Sequence, residues 1–210
     1  MDFFTKYGNK LLVATGQHLG YVLVSVAIGF VIAFVLGIAL SRVPRISKMV
    51  IPVIGVFQTI PGLVFIGVLF LYTGMRPITI VIALSIYAIF PILKNTYTGI
   101  VEVDPSIVEA ARGCGMTSMQ ILYKVEIPVA MHAIISGVRL ATIYTVSWAV
   151  LAAMIGLGGL GEFVYRGVET NNQMMIIAGA LPAALLAIAL GLLIDLLQKK
   201  MTPRGLERRR

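Results

Sequence analysis

The chain has 210 residues, of which 59% are hydrophobic and only 12% are charged, with a formal net charge of +8. A mean hydropathy of +0.96 leaves too little polar surface to cover a soluble domain, which excludes the ordinary globular classes and indicates an integral membrane protein. The single cysteine, Cys114, excludes an intrachain disulfide.

Three apolar segments in the first half are long enough to cross a bilayer, which takes about 20 helical residues. They are predicted at about 19–41, 49–73 and 77–98. The second segment contains Pro61, which lacks a backbone donor, so we expect a break at the centre of this span, next to Gln58. Carbonyls freed by a break are tolerated where they face protein or a watery cavity, so Gln58 and Pro61 are candidates for a solute path. A packing kink is the alternative.

Residues 99–128 interrupt the apolar pattern with charge, glycine and short polar side chains, and we call them the polar segment. Asp104 and Pro105 predict the start of a short helix, because Asp caps free N–H groups and Pro suits the first helical position. Gly113 and Gly115 are expected to end this helix, since glycine adopts the positive φ of a helix terminus without strain.

A second short helix is predicted later in the polar segment. Thr117 and Gln120 match a capping box, in which each side chain accepts a hydrogen bond from the backbone N–H of the other residue. This helix is expected to cover Ser118–Lys124 and to stop before Pro128. The polar segment therefore predicts a compact knob of two short helices outside the membrane.

The fourth span is predicted at about 129–154 and carries a polar and aromatic face. Tyr144, Ser147 and Trp148 are separated by three and four residues, so they lie on one side of a helix. Aromatic rings attract quaternary ammonium groups by about 0.5–2 kcal/mol each, which makes this face a second candidate for the solute path. Aromatic packing between helices is the alternative.

A glycine-rich run follows the aromatic face at the end of the fourth span. It matches GxGxxG, but it follows a membrane helix and not a strand, which excludes a dinucleotide-binding loop. A flexible hinge at the mouth of a path suits a gate, with close helix packing as the alternative explanation of the glycines. The gate is predicted at Met154, Gly156, Gly158, Gly159 and Gly161.

The fifth span is predicted at about 173–197, and a strongly basic tail follows it. Lysine and arginine are concentrated after the first span, in the polar segment and in this tail, and cytoplasmic loops retain such positive charge. With five spans, the N-terminus is expected outside and the C-terminus in the cytoplasm. We expect the tail to meet anionic lipid head groups, so the net charge does not indicate nucleic-acid binding.

The polar segment also resembles a family signature. The order Glu109-Ala110-Ala111, three residues, Gly115, nine residues and Val125-Glu126-Ile127-Pro128 resembles the EAA signature of ABC importer permeases. The family pattern ends in Ile, any residue, Leu and Pro, so Val125 and Ile127 are conservative departures. The resemblance implies an all-α integral membrane protein of five transmembrane helices, similar to type I importer permeases, with a cytoplasmic coupling helix. The coupling residues that it implies are Glu109, Ala110, Ala111, Gly115, Ile127 and Pro128.

The glycine-rich run, MIGLGGLGEFVYRG from Met154, resembles permeases of the glycine betaine, carnitine and choline uptake group. Many relatives for other solutes carry an acidic residue before that methionine, where this chain has Ala153. The resemblance implies a single permease domain in a bacterial inner membrane for quaternary-ammonium osmoprotectants. It also implies a cytoplasmic ATP-binding subunit that holds ATP and Mg²⁺, an extracellular substrate-binding protein, and a second permease subunit, identical or related.

The sequence contains no GxxxxGK[ST] loop, so we expect a non-enzymatic transport subunit whose ATP hydrolysis comes from another chain. His18 and His132 are isolated, and no metal site or cofactor is predicted in this chain. Two alternatives stay open: a permease of the same architecture for amino acids or another small solute, and a channel that needs no ATPase.

Overall fold

The computed structural model describes residues 2–152 and 156–201, and within these two ranges the chain folds into α-helices without a strand. A π-helical stretch, Leu122–Glu126, lies between the sixth and seventh helices. The helices are α1 (Asp2–Ser41), α2 (Pro44–Phe57), α3 (Gly62–Thr73), α4 (Pro77–Val101), α5 (Pro105–Gly113), α6 (Ser118–Ile121), α7 (Ile127–Ala152), α8 (Gly161–Glu169) and α9 (Gln173–Met201).

Four helical stretches in the described residues are long and apolar enough to cross a membrane, and they contain α1, α4, α7 and α9. The two short helices α2 and α3 form a fifth apolar unit, bent by 88° at the break between them. The prediction of an all-helical membrane protein is confirmed. Five crossings result when the bent pair is counted as one span.

Helix α1 is longer than the span predicted at 19–41, because it begins at Asp2 and contains 40 residues. At 1.5 Å per residue it measures about 60 Å, roughly twice the thickness of the hydrocarbon core. Its first half is stabilised by packing on α8 and α9, where Ala14 lies in a buried cluster with Leu160, Phe163 and Met175. Hydropathy marks the part of a helix that suits lipid, whereas tertiary contacts set its full length.

Helix α4 lies at the centre of the fold, between α1 and α7. Leu84 of α4 packs with Val22 of α1 and Val146 of α7 in one buried cluster. Small residues allow the backbones of α1 and α4 to approach each other closely, as is common between membrane helices. A Cβ atom on Gly37 of α1 would lie only 2.8 Å from the Cγ2 atom of Thr96 on α4.

Helix α9 presents a continuous apolar stripe on the outside of the bundle. Its leucines and isoleucine recur at intervals of three and four residues and are more than half exposed, as expected of a surface that faces lipid. The stripe consists of Leu181, Leu185, Ile188, Leu192 and Leu196.

The close approach of α1 and α4 gives a stability prediction. We expect Gly37→Ala to lower the stability of the protein by about 1–3 kcal/mol, because the new methyl group overlaps the Thr96 side chain. Gly20→Ala is the matched control, since a Cβ at this position of the same helix meets nothing within 4 Å. Thermal melting of the two purified variants in mild detergent measures the difference. Equal melting temperatures of Gly37→Ala and Gly20→Ala would show that α1 and α4 can move apart to admit the methyl group without loss of stability.

Candidate functional site

The first helix of the polar segment starts as predicted. Asp104 caps α5, because its side chain accepts a hydrogen bond of 2.8 Å from the backbone N–H of Ser106, and Pro105 occupies the first helical position. The same hydrogen bond stabilises the carboxylate and holds the pKa of Asp104 below its ordinary value. The start of α5 is therefore defined by local interactions alone.

The end of α5 depends on Gly115, which has a φ of +78°. The N–H of Gly115 donates to the carbonyl of Arg112 (3.0 Å), and the N–H of Met116 donates to the carbonyl of Ala111 (3.2 Å). These two bonds form a Schellman motif, which needs one left-handed residue directly after the helix. The prediction of a positive φ is confirmed for Gly115. It is wrong for Gly113, which lies inside α5, because a Schellman motif needs only one left-handed residue.

Only one of the two alanines of the signature lies on the surface of the polar segment. Glu109 and Ala110 are exposed, but Ala111 is only 8% exposed and faces the protein interior. Neighbouring residues on a helix point about 100° apart, so the two alanines do not share one face. Large apolar side chains complete the exposed surface, namely Ile107, Met119 and Tyr123. We call Glu109, Ala110 and these three residues the docking surface.

The capping box of the second helix is confirmed. The N–H of Thr117 donates to Gln120 Oε1 (2.9 Å), and the N–H of Gln120 donates to Thr117 Oγ1 (3.4 Å). The prediction that this helix ends before Pro128 is wrong. Helix α6 is followed directly by the π-helical stretch and by α7, so the chain stays helical from Ser118 into the long membrane helix.

The π-helical stretch explains how the helix continues through Pro128. A proline ring clashes with the carbonyl four residues earlier and donates no hydrogen bond to it. The wider π turn changes the register here, and the N–H of Ile127 donates to Leu122, five residues back. Ile127 is buried against Ile100 and Ala130, whereas Pro128 is half-buried. The six predicted coupling residues are thus divided between an exposed end at Glu109 and a buried end at Ile127.

Glu126, which occupies the unspecified position of the signature, forms a contact that the sequence analysis missed. Its carboxylate is only 6% exposed and binds both terminal nitrogens of Arg42, the residue that follows α1. A carboxylate inside the apolar run of Val125, Ile127 and Pro128 was the available signal. Through this ion pair the π-helical stretch is attached to the end of α1.

The break between α2 and α3 is closed by Tyr87 of α4, another residue that the sequence analysis missed. Gln58 Nε2 donates to the backbone carbonyl of Tyr87 (2.8 Å), and the Tyr87 hydroxyl donates to the carbonyl of Ile60 (2.7 Å). The freed backbone group therefore has a partner within the protein, as the membrane interior requires. Trp148 stacks on the Tyr87 ring, with centroids 5.0 Å apart, and its ring also packs directly against Gly62.

The structure brings together two of the five residues predicted to line a solute path. Gln58 and Tyr144, the latter 44% exposed, line one groove of about 430 Å³ between the break, α4 and α7. Pro61 and Ser147 are exposed outside its lining, and Trp148 packs against Tyr87. The role of these residues in transport stays a prediction. We call this the Gln58–Tyr144 groove, and its walls also include Phe90, Lys94, Asn95 and Thr98.

The predicted gate is a loop with three left-handed glycines. Gly156, Gly158 and Gly159 have φ values of +77°, +78° and +85°, and Gly161 is the first residue of α8. The fifth predicted gate residue, Met154, lies outside the described residues. Only glycine adopts three such conformations within four positions at little cost, so the loop shape follows from the sequence.

One side of α1 holds this loop in place. The N–H of Gly159 donates to Gln17 Oε1 (3.3 Å), and the Tyr21 hydroxyl donates to the carbonyl of Leu157 (3.0 Å). His18 lies between them, buried, with Nε2 at 3.1 Å from the carbonyl of Val146 on α7. The histidine interpreted as isolated is therefore part of the contact between α1, α7 and the glycine loop.

Comparisons of the sequence with known proteins point to one family of membrane transport proteins. The family model described as "Binding-protein-dependent transport system inner membrane component" matches residues 25–205. The carnitine transport permease protein OpuCB of Listeria monocytogenes is 38% identical over 100% of this chain and 96% of its own length. The glycine betaine/carnitine/choline transport system permease protein OpuCB of Bacillus subtilis is also 38% identical, over 99% of this chain and 95% of its own. The choline transport system permease protein OpuBB of Bacillus subtilis is 35% identical, with coverages of 99% and 96%.

Solved structures with the same fold include an inward-facing form of the MetNI methionine ABC transporter. Its matching chain superimposes with a TM-score of 0.85 at 20% identity, over 97% of this chain and 100% of that chain. An amino acid ABC transporter crystallised with histidines matches with a TM-score of 0.73 at 21% identity, over 95% of this chain and 99% of that chain. At these identities the likeness concerns the fold.

The ion pair of Arg42 and Glu126 yields a second prediction. Arg42→Met leaves a buried carboxylate without its partner and is expected to cost about 1–3 kcal/mol of stability, less than a fully buried pair because Arg42 is partly exposed. Glu126→Gln is expected to cost less, and the double variant is expected to recover part of the loss. Thermal melting in detergent measures all three variants.

Arg45→Met is the matched control for this cycle. Arg45 is an exposed arginine of α2, and it forms no ion pair with a carboxylate of the described residues. A variant at Arg42 that is as stable as the one at Arg45 would contradict a structural role for the ion pair.

Proposed function

Since the chain belongs to the family of binding-protein-dependent transport system inner membrane components, the permease subunits of ABC importers, we propose that it carries quaternary-ammonium osmoprotectants across a bacterial inner membrane. The observation that supports this solute class most directly is the full-length similarity, at 35–38% identity, to permeases named for carnitine, glycine betaine and choline. The glycine-rich run, which resembles the same group, is the part of this similarity that lies at the predicted gate.

The proposal includes three partners. A cytoplasmic ATP-binding subunit binds ATP and Mg²⁺ and receives the docking surface, whose exposed apolar residues Ile107, Met119 and Tyr123 suit a protein interface. An extracellular substrate-binding protein delivers the solute. A second permease, identical or related, completes the path, because the Gln58–Tyr144 groove is open on one side in the single chain.

The connections inside the chain suggest how movement passes from the docking surface to the far side of the membrane. From Ser118 the polar segment stays helical through the π-helical stretch into α7, which has 26 residues and measures about 39 Å. The Arg42–Glu126 ion pair attaches this same stretch to α1. Further along, α1 contacts both the glycine loop, through Gln17, and α7, through His18, so a tilt of α1 displaces the predicted gate.

The proposed orientation has the N-terminus outside and both the polar segment and the C-terminus in the cytoplasm. It is supported by the concentration of arginine and lysine at one end of the helices. It requires that the bent pair of α2 and α3 crosses the membrane as a single span. A re-entrant pair would return to its own side and leave both termini on the same side.

Reconstitution tests the function directly. The chain is purified with its ATP-binding subunit, placed in proteoliposomes, and supplied with its binding protein and with labelled glycine betaine, carnitine, choline or methionine. We expect that at least one quaternary ammonium compound is taken up, and that this uptake requires both ATP and the binding protein. Flux without ATP would indicate a channel, and uptake of methionine alone would indicate an amino-acid permease.

Gly115 provides the test of coupling. Gly115→Ala places a Cβ on a residue with φ of +78°, at a cost of about 1–2 kcal/mol, and should distort the end of α5 beside the docking surface. We expect reduced co-purification of the ATP-binding subunit and reduced uptake per ATP hydrolysed. The control is Gly113→Ala, because a Cβ at either glycine meets nothing within 4 Å, and the positive φ at Gly115 separates the two sites. Equal behaviour of the two variants would disprove the role of the turn.

Single cysteines test the orientation. Lys48→Cys and Thr170→Cys both place the thiol at an exposed position, on opposite sides of the membrane in the proposed topology. In a background with Cys114→Ser, an impermeant maleimide added to intact cells should label position 170 and leave position 48 unlabelled until the membrane is opened. The reverse pattern would invert the protein and place the docking surface outside.

A further inference from the structure

Lys94 is the one charged side chain of α4, and it has no carboxylate partner among the described residues. Its ammonium group lies 6.0 Å from the centroid of the Phe90 ring. By contrast, the charge of Arg139 on α7 is neutralised within the protein, because its Nε atom lies 2.7 Å from Oδ1 of Asp195 on α9. The Lys94 side chain is exposed, so its ammonium group is accessible to an anionic ligand.

The surroundings of Lys94 define the chemistry of that ligand. Lys94 and Tyr144 line the same Gln58–Tyr144 groove, which at about 430 Å³ has room for one small solute. The groove contains a cation, two aromatic rings and several uncharged polar groups, and none of the residues that line it is acidic. A cationic ammonium group attracts a carboxylate, and the exposed Tyr144 ring attracts a quaternary ammonium group.

We propose that Lys94 is a specificity residue that binds the carboxylate of a zwitterionic solute in transit, while Tyr144 contacts its trimethylammonium group. This inference rests on the proposed function and extends it. Glycine betaine and carnitine carry both groups, whereas choline carries the cation alone. The Lys94 ammonium therefore favours passage of the zwitterions and disfavours choline. The contact must be weak, because a tight binding site within a path would retain the solute.

A lipid phosphate is the other anion that an ammonium group at this depth can bind. Lys94 lies about 26 Å along α4 from Pro77 at 1.5 Å per residue, close to the thickness of the hydrocarbon core. The two sources differ in their effect on solutes. A lysine that binds lipid affects the transport of every solute equally, whereas a lysine that binds the solute distinguishes zwitterion from cation.

The experiment uses the full complex in proteoliposomes with its binding protein and compares Lys94→Gln, Lys94→Arg and Lys48→Gln with the wild type. Lys48 is an exposed lysine of α2 outside the groove and is the matched control. The readout is uptake per ATP hydrolysed for glycine betaine, carnitine and choline. We expect Lys94→Gln to lower this ratio about two- to fivefold for the zwitterions, the effect of one partly exposed charge pair, without lowering it for choline. Lys94→Arg and Lys48→Gln should retain the wild-type ratios.

Four results would overturn the proposal. An equal loss for zwitterions and choline would assign Lys94 to lipid or to helix insertion. An unchanged ratio in Lys94→Gln would exclude the contact, and so would a wild-type complex that transports choline but neither zwitterion. If the wild-type complex transports the zwitterions but not choline, the comparison between solutes is replaced by ATP hydrolysis. Lys94→Gln must then lower uptake per ATP while ATP hydrolysis continues. Loss of both uptake and ATP hydrolysis would count against the proposal. A wild-type complex that transports none of the three solutes would instead refute the proposed function.

Discussion

A backbone carbonyl that leaves its helix inside a membrane must find a donor within the protein, because hydrocarbon supplies none. This constraint explains the unusual features of the chain. At the break between α2 and α3, the Tyr87 hydroxyl binds the carbonyl of Ile60. Near Pro128 the chain widens into a π turn and stays helical. At the glycine loop, the Tyr21 hydroxyl binds the carbonyl of Leu157. Each departure from a regular helix is thus stabilised by a specific interaction, which makes it a defined element of the structure.

The same constraint concentrates the proposed transport machinery on three helices. Helix α4 packs between α1 and α7 and provides Tyr87 and Lys94, which face the break and the Gln58–Tyr144 groove. The Arg42–Glu126 ion pair attaches the end of α1 to the π-helical stretch before α7, and His18 of α1 contacts the Val146 carbonyl of α7. In the proposed mechanism, these two contacts let a movement that starts at the docking surface reach α1 as well as α7.

The distribution of charge in the membrane helices fits a transport subunit whose energy comes from another chain. The Arg139–Asp195 ion pair joins α7 to α9 and leaves no net charge on that interface. Lys94 of α4 has no carboxylate partner among the described residues, and it lies in a groove with aromatic and polar neighbours. In our proposal a passing zwitterion completes this site for a short time, while the ATP-binding subunit controls the movement of the solute.

The sequence by itself determined the helical membrane fold, the caps at Asp104 and Thr117, and the turn at Gly115, because apolar segment length, local hydrogen bonding and glycine stereochemistry are properties of a few neighbouring residues. The EAA and glycine-rich patterns identified the family for the same reason. Only the tertiary structure decided that Ala111 is buried, that Glu126 pairs with Arg42, and that Tyr87 closes the break near Gln58. The bonds of Glu126 and Tyr87 join residues 27 to 84 positions apart in the chain, and no local pattern specifies such a pairing. The path residues were partly predicted, since Gln58 and Tyr144 share a groove, but their neighbour Lys94 emerged only when α4 was placed between α1 and α7.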